Sequence, residues 1–279
     1  MPSAAAKRAA FRALHAAGCF VLPNPWDFGT TRYLQGLGFK ALATTSAGAA
    51  NALGFADGET PRDVMLAHIR AIVEATELPV NADFEAGYGR DPAGVGESVR
   101  LCGETGVAGL SIEDSTHDKE KPLYEIEEAV ARMRAARAAI DKVGGDVVLT
   151  GRAECFLVAR PDLDETIKRL RAYSDAGADC LYAPGIRTRE QIEAVVKAVA
   201  PKPVNVLMGG PSDFTAENLA ALGVRRISTG SGLSRAAWGG FLRAAKALAE
   251  GRFDGFAGAA SPRELNEFFR MDAARRAKT

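Results

Sequence analysis

The chain has 279 residues, of which 47% are apolar and 25% charged, enough for one large barrel or two smaller domains. Its 35 Lys and Arg balance its 35 Asp and Glu, so no net field draws it to nucleic acid or to an acidic membrane surface. Cys19, Cys102, Cys155 and Cys180 are scattered without a Cys-x-x-Cys pair, which speaks against a disulfide framework or a zinc site and for a reducing, cytoplasmic setting.

In chain order, residues 1–18 read as a basic amphipathic helix without the apolar segment of a secretory signal. Short apolar runs then recur at 19–24, 41–46, 79–84, 109–114, 147–154, 180–185, 203–210 and 225–232. Helical periodicity fills 61–76, 96–106, 125–141, 163–177, 188–200 and 215–223 between them. No stretch approaches the roughly twenty apolar residues of a membrane span. Eight strands alternating with helices, without a linker, predict one α/β domain over residues 1–279. A closed (β/α)8 TIM-type barrel fits that count better than an open doubly wound sheet. Residues 236–269 hold two further helical patterns, more than a barrel needs.

The third run, PVNADFEAGYG at 79–89, places Asp83 and Glu85 on one face of a strand end. The next two runs add Glu113 and Asp114, then Arg152 and Glu154, and Asp57 follows the turn after the second run. In a barrel these residues meet at the C-terminal mouth, where active sites of this architecture lie. Gathered carboxylates need a cation, and Mg²⁺ suits oxygen donors because it keeps several waters and needs only one or two direct carboxylates. Arg152 offers a planar fork for a substrate carboxylate or a neutralising partner for Glu113. The turn TTSAGAAN at 44–51 brings Ser46 and small residues whose amides could line an anion pocket, or simply a tight packed turn. The loop 115–125, with His117, Lys119 and Lys121, follows Glu113 as a candidate lid. Gly-rich loops at 208–212 and 228–235 raise a rival site for a sugar phosphate without metal. The cysteines read as small core residues, and His15 and His68 as packing or surface histidines.

The segments at 24–59, 81–89 (NADFEAGYG), 110–115 (LSIEDS) and 150–154 (TGRAE) together resemble the isocitrate lyase / phosphoenolpyruvate mutase superfamily, in matching order from about residue 20 to about 240. The resemblance implies a barrel whose last helix is exchanged between subunits of a dimer or tetramer, with 240–279 packing on the partner. By position, Asp83 resembles the direct Mg²⁺ ligand, with Mn²⁺ an alternative, and Asp57, Glu85 and Glu113 resemble the acids that hold the metal's waters. Arg152 resembles the residue that grips a substrate carboxylate; Ser46, Ala47 and Gly48 stand where the 2-oxo-acid end binds. The implied chemistry is bond cleavage beside a 2-oxo carboxylate through a Mg²⁺-stabilised enolate. The lid lacks the Lys-Lys-Cys-Gly-His of members that cleave isocitrate or methylisocitrate, which disfavours those substrates and leaves His117, Lys119 or Lys121 as candidate proton carriers beside Glu113. The expected activity is a Mg²⁺-dependent C–C lyase on a small 2-oxo or 2-hydroxy acid. Alternatives are a phosphonopyruvate mutase or hydrolase, a carboxyphosphonate mutase, an oxaloacetate decarboxylase or hydrolase, and a non-catalytic binding barrel with a vestigial site.

Overall fold

A computed structural model describes residues 2–144 and 146–277. Eight parallel strands are present, each where an apolar run predicts one: β1 Phe20–Leu22, β2 Leu42–Ala43, β3 Val80–Asp83, β4 Gly109–Glu113, β5 Val148–Arg152, β6 Cys180–Tyr182, β7 Val204–Leu207 and β8 Arg226–Ser228. Their order is β1-β8-β7-β6-β5-β4-β3-β2. The remaining gap, between β1 and β2, is bridged by the Ala43 amide donating to Pro23 O at 3.0 Å and by Asn24 Nδ2 donating to Thr44 O at 2.7 Å. The result is a nearly closed (β/α)8 barrel.

The helices are α1 Ala4–Ala16, α2 Phe28–Gly36, α3 Ser46–Leu53, α4 Arg62–Glu74, α5 Pro92–Glu104, α6 Ile126–Lys142, α7 Leu163–Asp175, α8 Arg189–Val199, α9 Ala216–Ala221, α10 Gly232–Ala249 and α11 Pro262–Arg276. Their starts carry ordinary caps: Asp162 accepts from the Glu165 amide before α7, and Thr188 with Gln191 forms a reciprocal box at α8. The sequence reading does not single out α2 or α3. In α3, the stretch read as a turn is helical because Thr45 caps the Gly48 amide, Ala is frequent, and Gly54 ends it in the left-handed conformation. Among the described residues, no helix is long and apolar enough to cross a membrane.

Strand side chains divide by period two. Val80, Ala82, Leu110, Ile112, Leu149, Leu181, Val204, Val206 and Ile227 belong to the main core cluster with apolar residues of the surrounding helices, Met65, Ile69, Val99, Met133 and Leu170 among them. The alternate positions, Asn81, Ser111, Thr150, Asn205, Arg226 and Ser228, are buried and polar. The strands are therefore not apolar on both faces, as continuous runs would suggest; the inner face is polar.

The N-terminal end of the barrel is plugged by α1. Phe11 is fully buried with its ring 6.2 Å from that of Phe20. A Cβ on Gly109 would lie 2.6 Å from the Phe11 ring and 2.7 Å from Asn81 Oδ1, so only glycine lets the plug seat. At the other end of the chain, α11 folds back on α2. Arg32 Nε and Nη2 pair with Asp272 at 2.9 and 2.5 Å, both side chains buried, and Phe268 stacks obliquely on Tyr33.

Candidate active site

The register of the strands builds the mouth. Glu113 and Arg152 stand opposite one another at the ends of β4 and β5, and Arg152 Nη1 lies 3.0 Å from Glu113 Oε2. The same nitrogen reaches Asp83 Oδ1, at the end of β3, at 3.0 Å. The other Asp83 oxygen accepts both the amide (2.9 Å) and the hydroxyl (2.8 Å) of Ser46. Arg152 Nε pairs closely with Glu154, and the guanidinium sits 5.3 Å from the centre of the Tyr182 ring. Its Nη2 has no hydrogen bond among the described residues.

Just past β3, Glu85 and Tyr88 both take positive φ (46° and 54°), an uncommon conformation for such residues. It bends the chain back so that the Tyr88 hydroxyl donates to Glu85 Oε1 at 2.5 Å. His117, also at positive φ, brings Nε2 to 3.7 Å from Glu85 and 3.6 Å from Glu113, with its ring against Gly58. Asp57 joins from the loop after α3 and lines the same cavity as Asp83 and Arg152, a space of about 160 Å³ that runs from the mouth into the barrel.

Electrostatically the mouth is in acid excess. Burial, with Asp83 adding, raises the Asp57 carboxyl above its usual range. Burial pushes Glu85 up to about 7, the Tyr88 hydrogen bond opposing. Burial holds Glu113 well above the carboxylate range against the pull of Arg152. One arginine and one histidine thus face Asp57, Asp83, Glu85, Glu113 and Glu154. Among the described residues, no three acidic, His or Cys side chains converge closely enough to ligate one ion directly. An all-oxygen set with an excess of acid groups, of which Asp57, Glu85 and Glu113 are each disfavoured as a carboxylate until a cation joins them, fits a hard divalent cation held by one carboxylate, with the others reached through its waters.

Four expected residues behave differently. Asp114 does not face the mouth: strand alternation turns it outward, where it accepts from Tyr173 Oη at 2.5 Å, from Arg169 at 3.2 Å and from the Glu154 amide at 2.8 Å. Lys119 and Lys121 are exposed on the lid loop and pair with no acid among the described residues. Gly48 does not line the cavity; its amide is spent on the Thr45 cap, and a Cβ there would press on Thr45 and Ser234. Ser46 and Ala47 do line it. In the loop after β8, the Thr229 and Gly230 amides both donate to Asn24 Oδ1 at 2.9 Å, so these amides are not offered to a phosphate. The sequence reading overlooks Tyr88, Tyr182, Asn205 and Arg226.

The model of the phosphoenolpyruvate phosphomutase family matches residues 11–249. This chain belongs to that family. It is 48% identical to a Burkholderia cenocepacia protein solved as a candidate lyase/mutase, with a TM-score of 0.91 over 96% of this chain and 97% of that one. It is 31% identical to the oxaloacetate decarboxylase of Bradyrhizobium diazoefficiens, over 85% of this chain and 83% of that protein. It is 29% identical to 2,3-dimethylmalate lyase, a phosphoenolpyruvate mutase/isocitrate lyase superfamily member, with a TM-score of 0.82 over all of this chain and 98% of that one. The resemblance to that superfamily is borne out, and these likenesses support a lyase-type enzyme.

Proposed function

We propose that the chain is a Mg²⁺-dependent lyase, with Mn²⁺ a substitute, that cleaves a C–C bond in a small 2-oxo or 2-hydroxy carboxylic acid through an enolate. The observation that carries this is Asp83, held by Ser46 on one oxygen and Arg152 on the other, at the centre of an acid excess that a single arginine does not balance. Asp83 would hold the cation directly, with Asp57, Glu85 and Glu113 around it. When bound, the ion supplies a Lewis acid that offsets charge developing on the substrate oxygen.

The chain's own groups do the rest. Arg152 keeps its orientation through Glu113, Asp83 and Glu154, and presents Nη2 to a substrate carboxylate. The Ala47 amide, in the first turn of α3 and at the cavity wall, would donate to the 2-oxo-acid group. His117, between Glu85 and Glu113, is the lid group placed to move a proton. Leu157 and Tyr182 narrow the mouth and limit the size of the acid. Phe241, Phe253 and Phe256 are 59%, 73% and 51% exposed on or beside α10; with the faces of residues 240–277 that α2 leaves uncovered, they would pack on a second copy in a cytoplasmic homo-oligomer.

The test is a panel of 2-oxo and 2-hydroxy acids assayed for release of pyruvate or another oxo acid. Turnover of at least one, abolished by EDTA and restored by Mg²⁺ or Mn²⁺, is the expected result. Turnover indifferent to EDTA would overturn the reading, and phosphate release from phosphonopyruvate would mark P–C chemistry in its place.

A further inference from the structure

Arg226 opens β8 with its side chain inside the barrel, and only 2% of the residue is exposed. Nε donates to Asn205 Oδ1 at 2.9 Å and Nη2 to Thr150 Oγ1 at 3.1 Å, while Nη1 reaches Asn81 Oδ1 and His15 Nε2, both at 3.4 Å. Every one of these partners is neutral or kept neutral by its setting, and among the described residues no carboxylate lies within 4.0 Å of the guanidinium. A guanidinium cannot shed its charge and has five N–H donors. Four contacts, two of them long, leave one Nη2 hydrogen without an acceptor. A buried cation with no counter-ion beside it is costly, and among the described residues none pairs with this one.

The same guanidinium lines the cavity that opens at Asp83. Ser228, two residues on along the same strand face, lines the same cavity; its Oγ accepts from Asn205 Nδ2 at 2.9 Å and lies within hydrogen-bonding reach of the Tyr182 hydroxyl. At about 160 Å³ the space holds roughly five waters, or one compact acid. Its two ends are electrostatically opposite: acids and Arg152 at the mouth, an unbalanced cation at the floor.

We propose that Arg226 and Ser228 form an anion subsite on the barrel floor that takes a second carboxylate of the substrate. The inference rests on the cavity being the substrate site, and it restricts the substrate to compact dicarboxylates. Such an acid is anchored at both ends, by Arg152 and by Arg226. Breaking a bond between the two ends leaves each product with a single anchor, which favours release over rebinding.

The test uses malonate as a two-carboxylate probe and pyruvate as its one-carboxylate control, titrated calorimetrically into the full chain in EDTA. Wild-type protein is expected to bind malonate. R226Q, checked for folding by circular dichroism, is expected to bind it about tenfold to hundredfold more weakly, the range set by loss of a charged hydrogen bond, with pyruvate binding changed less than about twofold. Unchanged malonate affinity in folded R226Q, equal losses for both probes, or no malonate binding by the wild type would overturn the subsite. Where R226Q does not fold, a crystal structure of the wild type with malonate decides: a carboxylate on Arg226 supports the proposal, and malonate seated only at Arg152 overturns it. No metal and no turnover enter either measurement, so a negative result here and a failed lyase assay are separate outcomes.

Discussion

Glu113 and Asp114 are neighbours in sequence and opposites in setting. Glu113 faces the mouth, where its carboxyl shares Arg152 with Asp83 and Glu154 and stays above its ordinary range through burial. Asp114 faces the helices, where Tyr173, Arg169 and a backbone amide satisfy it in full. Both are buried. What separates the acids of the mouth from Asp114 is balance of charge: Asp114 has the Arg169 cation beside it, whereas Asp83, Glu113 and Glu154 share the single Arg152. Arg226 on the floor is the same imbalance with the sign reversed, and Arg32, locked bidentately to Asp272, is its balanced counterpart.

The sharpest break of this comparison is a pair of alanine variants. Asp83→Ala is expected to lower kcat/KM by about 10³-fold or more, a loss typical of removing a central electrostatic group. Its melting temperature should hold or rise, since a carboxylate repelling Asp57 and Glu85 is gone. Asp114→Ala should do the reverse. It strands the buried Arg169 and Tyr173 groups and is expected to cost about 3 kcal/mol of unfolding free energy by urea titration, with kcat/KM of the surviving folded enzyme largely kept. If Asp83→Ala proves the less stable of the two, balance is the wrong criterion.

Much of this contrast is written in the sequence, though not all of it was legible. Apolar runs placed all eight strands, and the acids at the ends of the third and fourth, with the Arg at the end of the fifth, met as the period-two rule requires. The same rule, applied to the neighbour of Glu113, turns Asp114 away from the mouth. It also marks inner pairs two apart: Asn81 with Asp83, Ser111 with Glu113, Thr150 with Arg152, Arg226 with Ser228. A reading for apolar runs passes over them, because one polar residue in two still leaves a run that looks buried. The helix α3 was hidden by Gly and Ser that also suit a turn, and its capping by Thr45 depends on where β2 ends. The lid is least legible: Lys119 and His117 are two residues apart, and only backbone bending at His117 decides that the histidine meets the acids.

The smallest effect concerns the underside of the floor. His15 Nδ1 donates to Phe11 O at 2.8 Å, which leaves Nε2 as the lone-pair side facing Arg226 at 3.4 Å. Protonating it would set two cations together inside the plug, and burial first, then Arg226, bring His15 down to about 4. A depressed histidine stabilises the fold above its unfolded pKa, near 6.5, and loses that contribution as pH falls toward 4, because the unfolded chain takes up a proton that the folded chain refuses. Between pH 8 and pH 5 the loss should be about 2 kcal/mol. His15→Gln removes the titration while keeping a polar side chain. The stability difference between wild type and His15→Gln, measured by urea unfolding at both pH values, should therefore shift by about that amount in favour of the variant at pH 5. Other groups with displaced pKa values, His68 and the acids of the mouth among them, are common to both proteins and cancel. A difference that does not move with pH would mean that His15 is not held neutral beneath Arg226.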